Sequence, residues 1–197
     1  MLKWTFILII ACTVVFILQL TGIFDWRYLE FTPSLAFSMP WTFVTSIFMH
    51  ADITHLLVNM LVLFFMGLAL ENRVGSKHFV ILFFLAGIFG SVGYMITATD
   101  PSVPAIGASG AINGLVGALT VVMPLMMVWI WGIVPMPMIA VAVIWALIDF
   151  FGVFTPDTIA HGAHLGGLFV GLLYGWYLRN KLKKESRIIR VRYLSGS

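Results

Sequence analysis

Apolar runs of nearly membrane-spanning length, broken by short polar or proline-bearing segments, set the rhythm of this chain. The first extends from about Trp4 to Leu20, with Lys3 before it. A second runs from about Ile53 to Leu70 and closes on Glu71-Asn72-Arg73, and after Lys77 and His78 a third follows, from about Phe79 to Thr97. The turn-forming stretch Asp100-Pro101-Ser102-Val103-Pro104 leads to a fourth that begins near Ser109. Residues 120 to 153 are apolar almost throughout. Pro124, Pro135 and Pro137 divide them into the end of the fourth run, a loop, and a fifth run from about Met138 to Phe154. The sixth spans about Ile159 to Leu178. A helix of about 20 apolar residues crosses a bilayer, so the pattern predicts an all-α, polytopic membrane protein with six transmembrane helices in residues 1–180 and a basic cytosolic tail, partly helical or disordered, in residues 181–197. Residues 21 to 49 do not fit this rhythm. Pro33 and Pro40 interrupt them, and Trp26, Tyr28, Trp41 and several Phe stud them, a composition suited to the membrane–water interface.

Composition agrees: 61% of residues are hydrophobic and only 10% charged, and the mean hydropathy is +1.04, which excludes an ordinary soluble domain. The net charge of +3 does not indicate nucleic acid, because seven of the eleven Lys and Arg fall in the last nineteen residues. With six spans, ten of the eleven (Lys3, Arg73, Lys77 and the tail) share one side and only Arg27 takes the other. Positive residues gather on the cytosolic side, so both termini are expected there. The first run resembles a signal peptide in its charge and apolar core, but it is long for one and no small-residue cleavage pattern follows, so a retained helix is expected. No organelle-targeting segment is apparent, which favours a prokaryotic plasma membrane. Cys12 is the one cysteine, so neither an intrachain disulfide nor a cysteine-based metal site is expected.

Against this apolar background the polar positions stand out. In the six-span topology the second, fourth and sixth helices start at the outer face. Asn59, Ser109 and His164 then lie within roughly 10 Å of one another in depth at 1.5 Å per residue. The stretch Gly107-Ala108-Ser109-Gly110-Ala111-Ile112-Asn113-Gly114 puts the serine in the first turn of a helix, where unpaired N–H groups and the helix dipole favour a developing negative charge. Alone, it also reads as a small-residue packing stripe of the kind common in membrane helices. His164 is followed by Gly167, Gly171 and Gly175, nearly one helical face, and Gly110, Gly114 and Gly117 form a similar stripe beside Ser109. Two such ridges packed together bring an imidazole within reach of the hydroxyl, the pairing of nucleophile and general base. An ionisable side chain inside a span is a functional candidate, although a histidine bonded to a backbone carbonyl is the plain alternative. His55 and Asn59 share a face at i, i+4, and an amide donor suits a developing oxyanion. His50 and His161 are expected at the outer interface, as water-access or substrate-contact residues or as histidines without chemistry. Phe64, Phe65 and Trp145 are bulky enough to gate a gap between the second and fifth helices. Asp149, near the outer end of the fifth, could orient His164 as a third triad member, but it is expected instead to reach the interface or pair locally, leaving the Ser–His pair without a carboxylate.

Four motifs occur in order: His50-Ala51-Asp52-Ile53-Thr54-His55-Leu56-Leu57-Val58-Asn59, Gly67-x3-Glu71-x3-Gly75, Gly107-Ala108-Ser109-Gly110, and Ala163-His164-x2-Gly167-x3-Gly171. With them the chain, over about Trp4 to Arg179, resembles the rhomboid family of intramembrane serine proteases. The resemblance implies Ser109 as nucleophile, His164 as general base, and an oxyanion site made from the Asn59 side chain, the Ser109 N–H and His55. It implies a membrane-embedded first loop over residues 21 to 52 and a structural polar network around Glu71-Asn72-Arg73. It further implies transmembrane proteins as substrates and the lipid bilayer as surroundings, with no cofactor and no required metal. One departure concerns the loop: many bacterial members carry Trp-Arg where this chain has Trp41-Thr42. Two rivals belong to other classes. One is a membrane protein that binds metal through His50, His55, His161 and His164, which leaves Ser109 and its glycines unexplained and has no carboxylate among its ligands. The other is a non-catalytic rhomboid-like binder of membrane helices, although such relatives usually lack the serine or the histidine. A soluble hydrolase elbow is excluded, since it needs a strand-to-helix turn and a glycine at position 111, which is Ala.

Overall fold

The computed structural model describes residues 2–130, 132–155 and 158–195, with side chains as far as 186. Its main elements are helices α1 (Trp4–Thr21), α2 (Ile53–Val74), α3 (Ser76–Thr97), α4 (Ser109–Val122), α5 (Met138–Gly152) and α6 (His161–Ser195). Between α1 and α2 the chain forms only short turns of helix, among them Thr42–Thr45. α1, α2 and α3 are each long and apolar enough to cross a membrane, while α4 and α5 are shorter apolar helices. This is a mostly helical, multi-pass membrane bundle.

Two expectations are corrected at the boundaries. The loop expected between the fourth and fifth helices is an antiparallel hairpin, β1 (Met127–Ile130) and β2 (Val134–Pro137), with Met127 opposite Pro137 and Ile130 opposite Val134. Period-2 alternation is weak in so apolar a segment, so nothing in the pattern separated strand from helix. The sixth helix also runs on through the basic tail to Ser195 without a break at Arg179. Nothing there stops it: the tail is rich in Lys, Arg and Glu, good helix formers, and Gly196 is its first glycine. The side chains of Arg187, Arg190 and Arg192, three of the expected tail charges, lie outside the described residues.

At the end of the bundle away from Ser109, a buried carboxylate ties three helices together. Glu71, 1% exposed, accepts from the Trp4 and Thr5 backbone N–H groups at 2.9 and 3.0 Å, and from the Thr5 and Ser76 hydroxyls at 2.7 and 2.6 Å. Trp4 and Thr5 are in the first turn of α1, where N–H groups have no intrahelical acceptor and the dipole favours an anion. At the other end Gln19, late in α1, clasps His50: the His50 N–H donates to Gln19 Oε1 at 3.1 Å and Gln19 Nε2 donates to the His50 carbonyl at 3.3 Å. Within α2, residues Leu63–Gly67 form a π-turn.

Helix α4 is the axis of the fold. Gly110 through Leu119 are all buried, enclosed chiefly by α3 and α6. Fourteen residues make a helix of about 21 Å at 1.5 Å per residue, well short of the roughly 30 Å hydrocarbon thickness of a bilayer. At least one end of α4 is therefore sunk inside the bundle. What lets α6 press onto α4 is the absence of side chains. A Cβ on Gly167 would collide with the carbonyl of Gly110, one on Gly171 with the carbonyl of Gly114, and one on Gly175 would lie 2.8 Å from the Ala118 Cα. The same holds between α6 and α3, where Gly93 and Gly166 abut the backbones of Gly162 and Phe89.

Replacing Gly171 by Val should therefore force α4 and α6 apart. Unfolding of the detergent-solubilised protein should show a loss of at least roughly 1–3 kcal/mol, the usual cost of overpacking. Unchanged stability would mean the two backbones are not in contact.

Candidate functional site

The first turn of α4 is prepared by the segment before it. Phe31 and Ala105 pair their backbones as an isolated bridge, with N–H···O distances of 3.2 and 2.8 Å, and the Ser34 N–H donates to the Pro101 carbonyl at 2.9 Å. The Gly107 N–H then donates to the Ser46 carbonyl at 2.9 Å. Gly107 has φ +122°, a conformation closed to most L-residues, and a Cβ there would come within 2.8 Å of the His55 ring. Glycine is thus required twice over, and its bareness lets His55 lie against the approach to Ser109. Side-chain hydrogen bonds within loop 22–52 tie parts of it together. Thr42 is 1% exposed and donates its hydroxyl to the Met39 carbonyl. The Trp41 indole donates to the Tyr28 carbonyl at 2.7 Å, and the Thr45 hydroxyl to that of Leu29 at 2.8 Å.

The structure brings Ser109 and His164 together: Ser109 Oγ lies 2.9 Å from His164 Nε2. Fifty-five residues separate them in sequence, and each sits at the start of its helix, on either side of the glycine contact. On the other edge of the imidazole, His164 Nδ1 lies 2.8 Å from Asp149 Oδ1. This corrects the expectation that Asp149 reaches the interface or pairs locally and leaves the Ser–His pair without a carboxylate. The side chain is 9% exposed and faces inward from α5. The reason is helical register: α5 ends beside the start of α6, and Asp149 and Gly152, three residues apart, share the face turned toward it. Gly152 packs against the ring of His161 and Asp149 reaches between the two histidines.

His161 is likewise not an interfacial residue. It is 6% exposed, and its Nδ1 lies 2.7 Å from the same Asp149 Oδ1. An ionised carboxylate only accepts hydrogen bonds, so with Asp149 ionised both imidazoles present Nδ1–H to it. The Nε2 of His164 is then the acceptor for the Ser109 hydroxyl. Asp149, His161 and His164 also form the one group of metal-ligand type that converges among the described residues, their ligand atoms all within 4.8 Å of one another. The four-histidine cluster considered from sequence does not form, and a carboxylate it lacked is present.

Asn59 is 6% exposed. One N–H of its amide donates to the His55 carbonyl at 2.8 Å, leaving the second for a further acceptor. His55 accepts from the Ala51 N–H at Nδ1 and stacks edge-on with His50, ring centroids 5.1 Å apart. His50 is only 1% exposed, which moves it from the expected interface to the interior. Its position outside the spans, buried beside His55, pushes its pKa down to about 4, first through desolvation and then through the neighbouring imidazole. Trp145 is half-buried against the core. Phe64 and Phe65 stack on each other at 5.1 Å and stay exposed. Helix α5 packs on α4 and α6 and has no comparable contact with α2. Sequence reasoning passed over Asn113, one turn beyond Ser109. It is 7% exposed and donates to the Ser109 carbonyl at 3.0 Å; its signal was an amide inside an apolar run at i+4 from the serine.

Compared with known proteins, the chain matches the family model of the Rhomboid domain over residues 38–181, which contains every residue of this site.

The shared carboxylate makes a spectroscopic prediction. In ¹⁵N spectra of histidine-labelled protein, under conditions where the rings are neutral, His161 and His164 should both appear as Nδ1–H tautomers. An Nε2–H tautomer at His164 would contradict the arrangement.

Proposed function

The chain belongs to the rhomboid family, and from that premise we propose that it is an intramembrane serine endopeptidase, cutting the transmembrane segments of other membrane proteins near the outer leaflet. The single observation that carries this reading is the 2.9 Å approach of Ser109 Oγ to His164 Nε2 at the start of a buried helix. His164 takes the hydroxyl proton as Ser109 attacks the substrate carbonyl, then returns it to the leaving amine. The N–H groups of the first turn of α4, lacking intrahelical acceptors, receive the oxyanion together with the second N–H of Asn59, beside His55. Asp149 fixes the imidazole in the tautomer that leaves Nε2 free to accept, the role of the carboxylate in serine-protease triads. The reading thus differs from a bare Ser–His pair.

Substrate enters between α2 and α5, which pack little on each other and where Trp145 lies on α5; Phe64, by contrast, rests against Phe6 of α1, ring centroids 6.0 Å apart. Its helix has to unwind locally, since a helical peptide bond is shielded by its own hydrogen bonds. Water for deacylation arrives past His164, whose side chain keeps 18% exposure, and not by way of the buried His50. The basic residues support an orientation with both termini in the cytosol. Lys3, Arg73 and Lys77 flank the Glu71 end of the bundle, and the α6 tail leaves from that end, so the site opens to the extracytoplasmic side. The setting is a cell membrane. No cofactor or metal takes part in these steps.

A serine-reactive fluorophosphonate probe tests the reading. It should label the purified protein at Ser109 and nowhere else, and His164→Ala should remove the labelling; a folded, unlabelled wild type would refute it. Asn59→Ala should slow cleavage of a single-span substrate by roughly 10²–10³-fold, as loss of one oxyanion donor does elsewhere, with labelling site unchanged. A rate within twofold of wild type would take Asn59 out of the oxyanion site.

A further inference from the structure

Asp149 does more than orient one imidazole. Its Oδ1 receives Nδ1 of His161 at 2.7 Å and Nδ1 of His164 at 2.8 Å. Two imidazoles and a carboxylate, from two helices, converge with their ligand atoms within 4.8 Å. We propose that Asp149, His161 and His164 form an inhibitory binding site for a borderline divalent cation, zinc foremost. Two imidazole nitrogens and one carboxylate oxygen are a known zinc donor set, completed by water in the fourth position. The harder cations magnesium and calcium prefer all-oxygen shells. The site is also built to hold its shape. His161 and His164 are one turn apart on α6, and Asp149 and Gly152 are one turn apart on α5, with Gly152 lying against the His161 ring so closely that a Cβ there would overlap it. Asp149 and His161 are buried, their side chains 9% and 7% exposed, and His164 at 18% is the side open to an incoming ion.

Occupancy would silence the base by a proton rearrangement that needs no large movement. Zinc takes the Nδ1 lone pairs of both His161 and His164, so both Nδ1–H···Asp149 hydrogen bonds break and in each neutral ring the single proton moves to Nε2. On His164 that proton points at Ser109 Oγ, so Nε2 is a donor where the reaction requires an acceptor. No proton is gained or lost by the ring, and removal of the ion restores the working tautomer. Binding therefore does not depend on the protease reading, whereas inhibition rests on it.

The test uses the full chain in detergent, stripped with a chelator and titrated with zinc alone. Calorimetry should give one zinc per chain for the wild type and for Ser109→Ala. His161→Ala and the isosteric Asp149→Asn should each weaken binding at least about tenfold. Cobalt substitution should show the visible ligand-field absorption of a four-coordinate site, absent in both variants, with thermal unfolding confirming that each is folded. In parallel, zinc should stop substrate cleavage by the wild type and chelator should restore it. No stoichiometric binding, or binding unaltered in folded His161→Ala and Asp149→Asn, would overturn the site, even with an active, zinc-insensitive protease. Stoichiometric, variant-sensitive binding by a protein that never cleaves would uphold the site and refute the protease reading instead. Stoichiometric binding that leaves cleavage untouched would overturn the inhibitory role.

Discussion

Close backbone contact between α4 and α6 is the constraint on which everything else rests. Lipid tails offer no hydrophobic drive for one apolar helix to leave them for another, so association depends on packing. Here that packing is backbone against backbone: Gly167 on the Gly110 carbonyl and Gly171 on that of Gly114. Side chains of ordinary size would hold the two helices apart by the width of a methyl group or more. At that separation a hydroxyl and an imidazole near the helix starts could not stand 2.9 Å apart. The glycines thus convert a weak general tendency into a distance fixed well enough for chemistry.

The remaining elements serve that distance from outside. Helix α3 backs both partners, with Gly90 against Gly110 and Ala163. Segment 98–108, pinned to the first loop through Phe31, Ser34 and Ser46, delivers Ser109 to the first turn of α4. Helix α5 supplies Asp149 from the third side. The far end is secured independently by Glu71, whose two oxygens satisfy four donors. Close packing is therefore concentrated in α3, α4 and α6 and at the Glu71 clasp, while α2 and α5 meet each other little. On the proposed reading a substrate helix enters without disturbing the serine and histidine, and such a division of packing permits it.

Much of this was legible in the sequence because membrane burial sharpens contrast. Against long apolar runs, Asn59, Ser109 and His164 are conspicuous, and helical rise alone assigns them similar depth. The glycine spacing from His164 to Gly175 declared a close-packed face before any partner was known. What stayed hidden depended on orientation. Asp149 was visible as an acid in a span, but only the rotation of α5 decides whether it meets lipid, solvent or an imidazole, and a nearly all-apolar helix gives no periodicity from which to read rotation. His161 suffered the same ambiguity one turn outward from His164. The hairpin between α4 and α5 was unreadable for a related reason: in so uniformly apolar a stretch neither a period of 2 nor one of 3.6 can be seen.

The most direct test of the central claim is cleavage in a bilayer. Purified wild-type protein and Ser109→Ala are each reconstituted in liposomes with a panel of single-span proteins, and the new chain ends are mapped by mass spectrometry. The account predicts cuts in or beside the transmembrane segment, near the face where Ser109 lies, by wild type alone. Cuts of equal yield from both proteins, or none from a wild type whose fold is intact, would contradict it.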